Sequence, residues 1–297
     1  MKFTVLSLGL MAVSSLAAPS SFVKRQASLE DVATTGFATT NGGTSGGKGG
    51  KVVKVASLAD LEAAVKGDAA AIVVITGPIS GNGDNIHIAK SVKNVIIRDV
   101  VVRNVVHGDS IAIQKAQNVW VDHVEVSSDR SHDKDYYDGL IDITDAADFV
   151  TVSNSYLHDH WKCSLVGHSD KNAAEDKGHL TVTYNNNYWR NINSRAPSIR
   201  FGTGHIYNNY FEDVNDGINV RQGAQVVVQN NVWINPMKAL YTIDKGFAVA
   251  SSNDFGNSSN TAPTGTFTKA PYAVPQLLEA KDVKAAVVGI AGATLRF

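Results

Sequence analysis

The chain has 297 residues, and its 27 Lys and Arg side chains against 28 Asp and Glu give a formal net charge of −1 at pH 7. That balance argues against a nucleic-acid-binding protein, because such proteins hold phosphates with a broad basic surface. No apolar run reaches the roughly 20 residues of a membrane-spanning helix, so we expect no membrane partner. Cys163 is the single cysteine and excludes an internal disulfide. We interpret it as a buried small apolar residue.

The N-terminus has the pattern of processing sequence. Lys2 precedes an apolar run, Phe3–Met11, and small residues follow, as in a secretory signal peptide. We therefore expect a secreted protein. We predict three segments: a signal peptide over 1–17, a propeptide over 18–25 that ends at Lys24-Arg25, and a single domain over 26–297.

Two helices and many short strands are predicted along the domain. Ser57 caps a helical run from Leu58 to Lys66 that ends at Gly67, and a second helix is predicted from Gln276 to Val288. Elsewhere, short segments rich in Val, Ile and aromatic residues recur, each with a polar interruption. These segments are VIIRDVVV, VWVDHVEV, VTVSNSYL, TVTYNNNYW, HIYNNYF and VVVQNNVW.

The polar interruptions repeat with a coil-like period. Their intervals are 24, 31, 32, 22 and 22 residues, for the column Asp99, His123, Asn154, Asn186, Asn208 and Asn230. A constant minimum with occasional insertions is typical of a solenoid, whose coils stack to share a core. Asn suits such a corner because it tolerates unusual backbone angles and its amide can bond to the Asn of the next coil. We predict an all-β fold, a right-handed parallel β-helix, over a sandwich or propeller, since hairpin turns are scarce.

Three aspartates and one arginine fall at similar distances before this corner. Asp109 precedes it by 14 residues, Asp138 and Asp142 by 16 and 12, and Arg195 by 13. We expect all four on one face, in coils separated by about 4.8 Å or small multiples of it. Carboxylates that close repel one another unless a cation lies between them. Ca²⁺ is the favoured guest, because it takes oxygen ligands and leaves coordination places for water and for substrate carboxylates.

Histidines and further cations flank the acids. Zinc is disfavoured, since His158 and His160 are accompanied by no cysteine or third histidine at suitable spacing. We interpret them as hydrogen-bonding residues that frame the site. Lys162, Arg195 and Arg200 form a cationic group, in which RAPSIRFG places an arginine on each side of a stiffening proline.

Several long segments resemble the fungal pectate lyases of the pectate and pectin lyase family. These segments are NVWVDH, HDKDYYDG, HDHWK with GHSD after it, and RAPSIRFG followed by HIYNNYFEDVNDGINVRQGA. The resemblance extends from NGGTSGGKGG to the C-terminal helix. It implies a calcium-dependent enzyme that cleaves de-esterified pectin, a (1→4)-linked α-D-galacturonan, by β-elimination to 4,5-unsaturated products.

The resemblance also implies roles for site residues. It implies calcium ligation by Asp109, Asp138 and Asp142, proton abstraction by Arg195, and substrate binding by Lys162 and Arg200. We add His158 to the substrate-binding residues because it frames the site. An arginine base is normally protonated, so neighbouring cations would have to lower its proton affinity, and we expect an alkaline pH optimum.

The sequence departs from the family pattern in two places. Only IHIAKSVK joins GPISGNGDNI to NVIIRDVVV, so one early coil is missing and its neighbours must stack on each other. His107 lies where relatives often carry an acid or amide beside the ligand Asp109. Because calcium prefers oxygen, we expect weaker calcium affinity or one fewer calcium site.

Three other functions remain open at this point. A pectin lyase would act on methyl-esterified pectin without calcium, and a non-catalytic β-helix would bind polyuronate without cleaving it. A polygalacturonase-type hydrolase would need a pair of carboxylates set for acid and base chemistry, and the acids here are better explained as calcium ligands. We expect a monomer with polygalacturonate as its partner. The sequon at Asn257 predicts N-glycosylation.

Overall fold

The structure is a computed structural model that describes residues 25–66, 69–80, 86–88 and 92–297. The predicted signal peptide and residues 18–24 of the predicted propeptide lie outside the described residues, as does Gly67. The helices are α1 (Leu58–Ala64), α2 (Ala173–Asp176) and α3 (Ala280–Val287), with a 3₁₀ turn at Phe37–Thr39. No helix in the described ranges has the length and apolar character needed to cross a bilayer.

Short strands make up most of the remainder. They are β1 (Arg25–Gln26), β2 (Lys51–Val55), β3 (Ala71–Ile75), β4 (Ile86–Ile88), β5 (Lys93–Arg98), β6 (Val101–Arg103), β7 (Ile111–Gln114), β8 (Gln117–Asp122), β9 (Glu125–Ser127), β10 (Ile141–Thr144), β11 (Asp148–Ser153), β12 (Tyr156–Lys162), β13 (Leu165–Val166), β14 (Thr181–Asn185), β15 (Tyr188–Ser194), β16 (Ser198–Arg200), β17 (Thr203–Tyr207), β18 (Tyr210–Val214), β19 (Asp216–Arg221), β20 (Gln225–Gln229), β21 (Val232–Ile234), β22 (Lys238–Thr242), β23 (Phe247–Ser251) and β24 (Leu295–Arg296).

The strands form three long parallel sheets. The first sheet has the order β22-β19-β16-β13-β10-β7-β4, the second β23-β20-β17-β14-β11-β8-β5, and the third β21-β18-β15-β12-β9-β6. Neighbours in each sheet are three strands apart in the chain, so every coil contributes one strand to each sheet. This arrangement is a parallel β-helix and confirms the predicted fold.

The core lies inside the coils and repeats from one coil to the next. In the second sheet Val119, Val150 and Val182 are register neighbours, and all three are fully buried. In the third sheet the rings of Trp189, Phe211 and Trp233 stack at centroid distances of 5.6 and 4.5 Å. Each such side chain contributes about 1.5–3 kcal/mol through burial, so stacking in register replaces the missing disulfides as the source of stability.

The predicted corner column has the backbone geometry that the sequence suggested. Its members adopt left-handed φ angles between 49° and 56°, for Asp99, His123, Asn154, Asn186, Asn208 and Asn230. The predicted amide ladder, however, lies one residue later. Within the column only Asn186 bonds to the preceding Asn154, at 3.4 Å, among the described residues. The left-handed residue turns the chain, and the residue after it carries the side chain that reaches the next coil.

The ladder itself consists of Asn187, Asn209, Asn231 and Asn253. The backbone N–H of each of the first three donates to the side-chain Oδ1 of the next, at 2.9–3.0 Å. The Asn209 amide also donates to the carbonyls of Tyr184 and Tyr207. Buried turn groups that no strand could pair are thus satisfied by side chains.

Both predicted helices are shorter than expected. The first ends at Ala64 rather than Lys66, although Ser57 caps it as predicted by accepting from the Asp60 N–H at 3.2 Å. The second begins at Ala280 rather than Gln276. The backbones of Gln276 and Leu278 are instead bonded to the Asn208 side chain on the adjacent sheet edge. These tertiary hydrogen bonds keep the segment around Gln276 and Leu278 extended, so the helix begins later in the chain than predicted.

The N-terminal end of the solenoid differs from the remainder. Strands β2 and β3 pair only with each other, as a separate two-stranded sheet, and β5 is the last strand of the second sheet in the described part of the chain. A turn caps this end, because Asn94 Oδ1 accepts the N–H groups of Ser45 and Gly46 at 2.6 and 3.0 Å. Between β3 and β5 the structure describes the single strand β4, which pairs with β7 in the first sheet, and this is the region where the sequence predicts a missing coil.

The ladder makes a strong prediction about stability. Asn209→Ala removes a fully buried amide, leaves the Asn187 N–H without its side-chain acceptor and takes one donor from the Tyr184 carbonyl. We expect the free energy of unfolding to fall by about 2–4 kcal/mol in urea denaturation. Asn257→Ala, an exposed asparagine, is the control in unglycosylated protein and should change it by less than about 0.5 kcal/mol. Equal effects of the two variants would contradict the role of the ladder.

Candidate active site

Two carboxylates, a buried one from Asp142 and a half-buried one from Asp109, converge where neighbouring coils enter the first sheet. The Gly139 N–H donates to Asp109 Oδ1 at 2.8 Å, and the Leu165 N–H donates to Asp142 Oδ1 at 3.0 Å. A Cβ at Gly139 would lie 2.5 Å from Asp142 Oδ1 and 2.7 Å from Asp109 Oδ1. Glycine therefore leaves the space into which both oxygens point.

Burial and repulsion between neighbouring negative charges disfavour the ionised form of both carboxyl groups. Burial raises the pKa of Asp142 well above its ordinary value, and the Asp109 charge raises it further. Burial is also the main cause of the raised pKa of Asp109, followed by the charge of Asp138. The positive charge of Arg195 opposes both shifts. A cation between these oxygens would remove the repulsion.

The third predicted ligand, Asp138, lies at the edge of this cluster. Its Oδ1 accepts from Lys162 Nζ at 3.0 Å, and the same Nζ donates to Asp135 at 3.0 Å. Within the described ranges, no three Asp, Glu, His or Cys side chains converge closely enough to ligate a metal. The structure thus brings two of the three acids together and places the third in an ion pair with Lys162.

The residues present nevertheless fit a hard divalent cation. Asp109 and Asp142 supply converging oxygens in a space kept open by Gly139, and a cation there would favour the ionised form of both carboxyl groups, whose pKa values burial raises. Oxygen donors of this type suit Ca²⁺, which accepts further ligands from water or from a bound anion. His107 lies beside Asp109 in sequence and turns its ring against Tyr136, at a centroid distance of 5.7 Å.

Of the two candidate histidines, His160 is the one that touches the acid cluster. Its Nε2 lies 2.9 Å from the Asp138 carbonyl oxygen, and burial lowers its pKa. His158 lies four residues before Lys162 on β12, stacks on Tyr156 at 4.0 Å and pairs with Asp159 at 2.7 Å. The structure does not bring His158 to the carboxylates.

Arg195 occupies the bend between β15 and β16. Its backbone is left-handed, with φ 61°, and its carbonyl accepts from the Ser164 N–H at 2.8 Å. Such a conformation is unfavourable for a side chain with a Cβ, so the surrounding coils must impose it. Its guanidinium forms no ion pair with any acid in the described part of the chain. Arg195 is therefore the unpaired cation beside Asp109 and Asp142.

Arg200 lies at the other end of β16 and is held away from the carboxylates. Its Nε donates to Asp170, and its Nη1 donates to the Gly167 carbonyl at 2.8 Å. Arg221 is its register neighbour in β19 and also bonds to Asp170, at 3.2 Å. Asp170 thus fixes two arginines on adjacent coils.

Comparison with known proteins now identifies the family. The sequence model of the family described as pectate lyase matches residues 4–85 and 79–275. The chain is 54% identical over 326 residues to a probable pectate lyase A of Aspergillus fumigatus, covering 100% of both chains. It is 51% identical over 321 residues to pectate lyase A of Aspergillus niger, covering 100% of this chain and 99% of the relative.

The chain belongs to the pectate lyase family. It is a polysaccharide lyase, as the sequence motifs implied. A pectate lyase from Bacillus sp. N165, solved in complex with trigalacturonate, superimposes with a TM-score of 0.80 at 28% identity, over 88% of this chain and 99% of that chain. The fold and the family thus agree.

The comparison with these pectate lyases also supports the missing coil. The alignment to the Aspergillus fumigatus relative spans 326 positions and covers both chains fully, although this chain has 297 residues. The relative therefore carries residues that this chain lacks. The family match is broken at residues 79–85, directly before β4. This division falls in the region where the sequence predicts the missing coil, before the coils that hold the carboxylates.

Several residues of this pectate lyase site escaped the sequence analysis. Gly139, Asp135 and Asp170 act through backbone space and ion pairs, and neither feature follows from repeat spacing. A usable signal existed for two of them. Gly139 lies inside the YDGLID segment, between two predicted ligands, and Asp170 ends the GHSD segment.

Asp142 should have opposite effects on stability and on activity. Because the folded state raises its pKa above 3.8, the ionised carboxylate destabilises the metal-free protein at all pH values above the shifted pKa. In chelator at pH 8 we expect Asp142→Asn to raise Tm by a few degrees. With calcium we expect lyase activity to fall roughly 100-fold or more.

The control for this prediction is Asp254→Asn, an exposed aspartate whose backbone bridges to Val232 at the other end of the solenoid. This control variant should change neither the Tm in chelator nor the lyase activity with calcium. A lower Tm for Asp142→Asn in chelator would show that the carboxylate stabilises the fold and would contradict the electrostatic argument.

Asp170 should act on catalysis through Arg200. Asp170→Asn removes the charge that both Arg200 and Arg221 contact, so we expect kcat/KM on polygalacturonate to fall about 3- to 10-fold. Asp244→Asn is the matched control, because Asp244 pairs with Arg221 only. Equal losses of kcat/KM in the two variants would show that Asp170 does not act by orienting Arg200.

Proposed function

We propose that the protein is a calcium-dependent pectate lyase that cleaves de-esterified pectin by β-elimination. The observation that supports this most directly is the pair of converging carboxylates, half-buried Asp109 and buried Asp142, beside the unpaired cation Arg195. The solved neighbour in complex with trigalacturonate supports a galacturonan substrate. We also propose secretion, on the pattern of the N-terminal sequence.

In this proposal the cations of the site bind the uronate groups of the polymer. Lys162 is held at 3.0 Å from Asp135 and Asp138, and Arg200 is oriented by Asp170 and the Gly167 carbonyl. Both side chains keep donors for a substrate carboxylate, because each acid uses only part of their hydrogen-bonding capacity. The protein has no broad basic face, so these local contacts would carry the recognition of a polyanion.

The proton at C5 of a galacturonosyl unit is acidic only when the adjacent carboxylate is neutralised. Calcium held by Asp109 and Asp142, with Asp138 as a further ligand, would supply that neutralisation when bound. Lys162 and Arg200 would hold the same or an adjacent carboxylate and stabilise the negative charge that develops. His158 stays a proposed substrate contact at the margin of the site.

Arg195 is the proposed base. Its side chain, as the neutral guanidine, accepts the C5 proton and becomes guanidinium, the electron pair of that C–H bond forms the C4–C5 double bond, and the bond from C4 to the glycosidic oxygen breaks. The leaving oxygen then gains a proton, and no water is consumed. A guanidinium accepts a proton only after losing one, so the rate should rise with pH into the alkaline range.

The proposal predicts a metal-dependent release of unsaturated product. With polygalacturonate at pH about 9 we expect ultraviolet absorbance to rise in calcium and the rate to fall roughly 100-fold or more in chelator. Arg195→Lys keeps the charge but changes the geometry of the base, and kcat should fall by about 10²–10⁴.

The outcomes distinguish the rival functions. An equal rate in chelator, with a preference for methyl-esterified pectin, would indicate a pectin lyase. Binding of polygalacturonate by folded protein without product would indicate a non-catalytic β-helix. Reducing ends formed without ultraviolet absorbance would indicate a hydrolase.

A further inference from the structure

A second concave surface lies beside the proposed site, at the turns that lead from the first sheet to the second. This turn groove has a volume of 510 Å³ and is lined mainly by Asp170, Lys177, Phe201, Asp244, Lys245 and Phe247. Lys177 follows α2, Phe201 follows Arg200 directly, and Phe247 begins β23. None of the roles proposed above uses this surface, apart from the ion pair of Asp170 with Arg200.

The groove combines aromatic surface with positive charge. Phe201 and Phe247 are half-buried, so each has one part in the protein and another exposed to the groove. Both acids are already used, because Asp170 pairs with Arg200 and Arg221, and Asp244 pairs with Arg221. Lys177 and Lys245 are exposed and form no ion pair among the described residues. The charge left for a ligand is therefore positive.

This chemistry matches a sugar acid. The C–H face of a pyranose ring packs on aromatic side chains, and a uronate carboxylate pairs with lysine. The groove lies next to Arg200 of the proposed site, because Asp170 lines the groove and accepts a hydrogen bond from Arg200, and Phe201 follows Arg200 in the chain. A polymer held at Arg200 thus has its next units within reach of the groove.

We infer that the turn groove is a remote subsite that binds a further galacturonate unit of the polymer through Lys177, Lys245, Phe201 and Phe247. This inference rests on the proposed function for the identity of the polymer. The groove binds substrate in the ground state and takes no part in the chemistry, so it lowers KM for long chains and leaves kcat unchanged.

The test is the double variant Lys177→Gln/Lys245→Gln, assayed with polygalacturonate and with trigalacturonate at low salt. KM for polygalacturonate should rise about 3- to 10-fold with kcat unchanged, and kinetics on trigalacturonate should not change. The KM difference should shrink in 0.5 M salt, because exposed charges are screened. Lys48→Gln/Lys281→Gln is the matched control, since it removes two exposed lysines elsewhere.

Two results would overturn the inference: a double variant that behaves like the control, or equal losses on the polymer and the trimer. Binding is measured separately by retardation of each protein in gels containing polygalacturonate. Wild-type protein that is retarded but inactive would refute the lyase proposal. In that case weaker retardation of the groove variant than of the control still supports the subsite, and equal retardation refutes it.

Discussion

The hydrogen-bond register between successive coils is the constraint on which the whole structure depends. Each coil places a strand beside the same strand of its neighbours, so residues about one repeat apart in sequence become lateral neighbours in space. Asp142 pairs with Ala112, and this register brings it next to Asp109 at the entrance to β7. A single slipped residue would turn each side chain to the other face and would separate these carboxylates. The arrangement of these carboxylates and the packing of the core therefore share one cause.

The corners keep that register in place. Left-handed residues such as Asn208 turn the chain, and the following Asn209 satisfies turn groups that the sheets leave unpaired. The same logic reappears at Arg195, whose left-handed backbone lies at a bend between strands. There, however, the side chain forms no ladder in the described part of the chain, and its positive charge lowers the pKa values of Asp109 and Asp142. A structural device of the solenoid has thus been used to position a functional group.

How far the sequence predicted the structure depended on whether a feature follows from the repeat. The solenoid, the corner column and the approach of Asp109 to Asp142 follow from spacing, and the structure has all of them. The amide ladder was displaced by one residue, because periodicity gives the column that turns but not which neighbour reaches the next coil. The late start of α3 depends on hydrogen bonds from Asn208, a contact 68–70 residues away that no local pattern encodes. The ion pairs of Lys162 and Arg200 depend on loop conformation and were equally hidden.

The loss of a coil is tolerated because the stacked coils are nearly independent structural units. Each coil contacts mainly its two neighbours, so a deletion disturbs the structure locally. It leaves β5 as an end strand and β2 and β3 as a separate pair, while β7, β10, β13 and β16 keep their pairing in the first sheet. The acids and cations of the site lie on or beside these four strands. The shortened chain therefore has fewer stacking contacts at one end of the solenoid. The arrangement of charged residues on which catalysis would depend is kept.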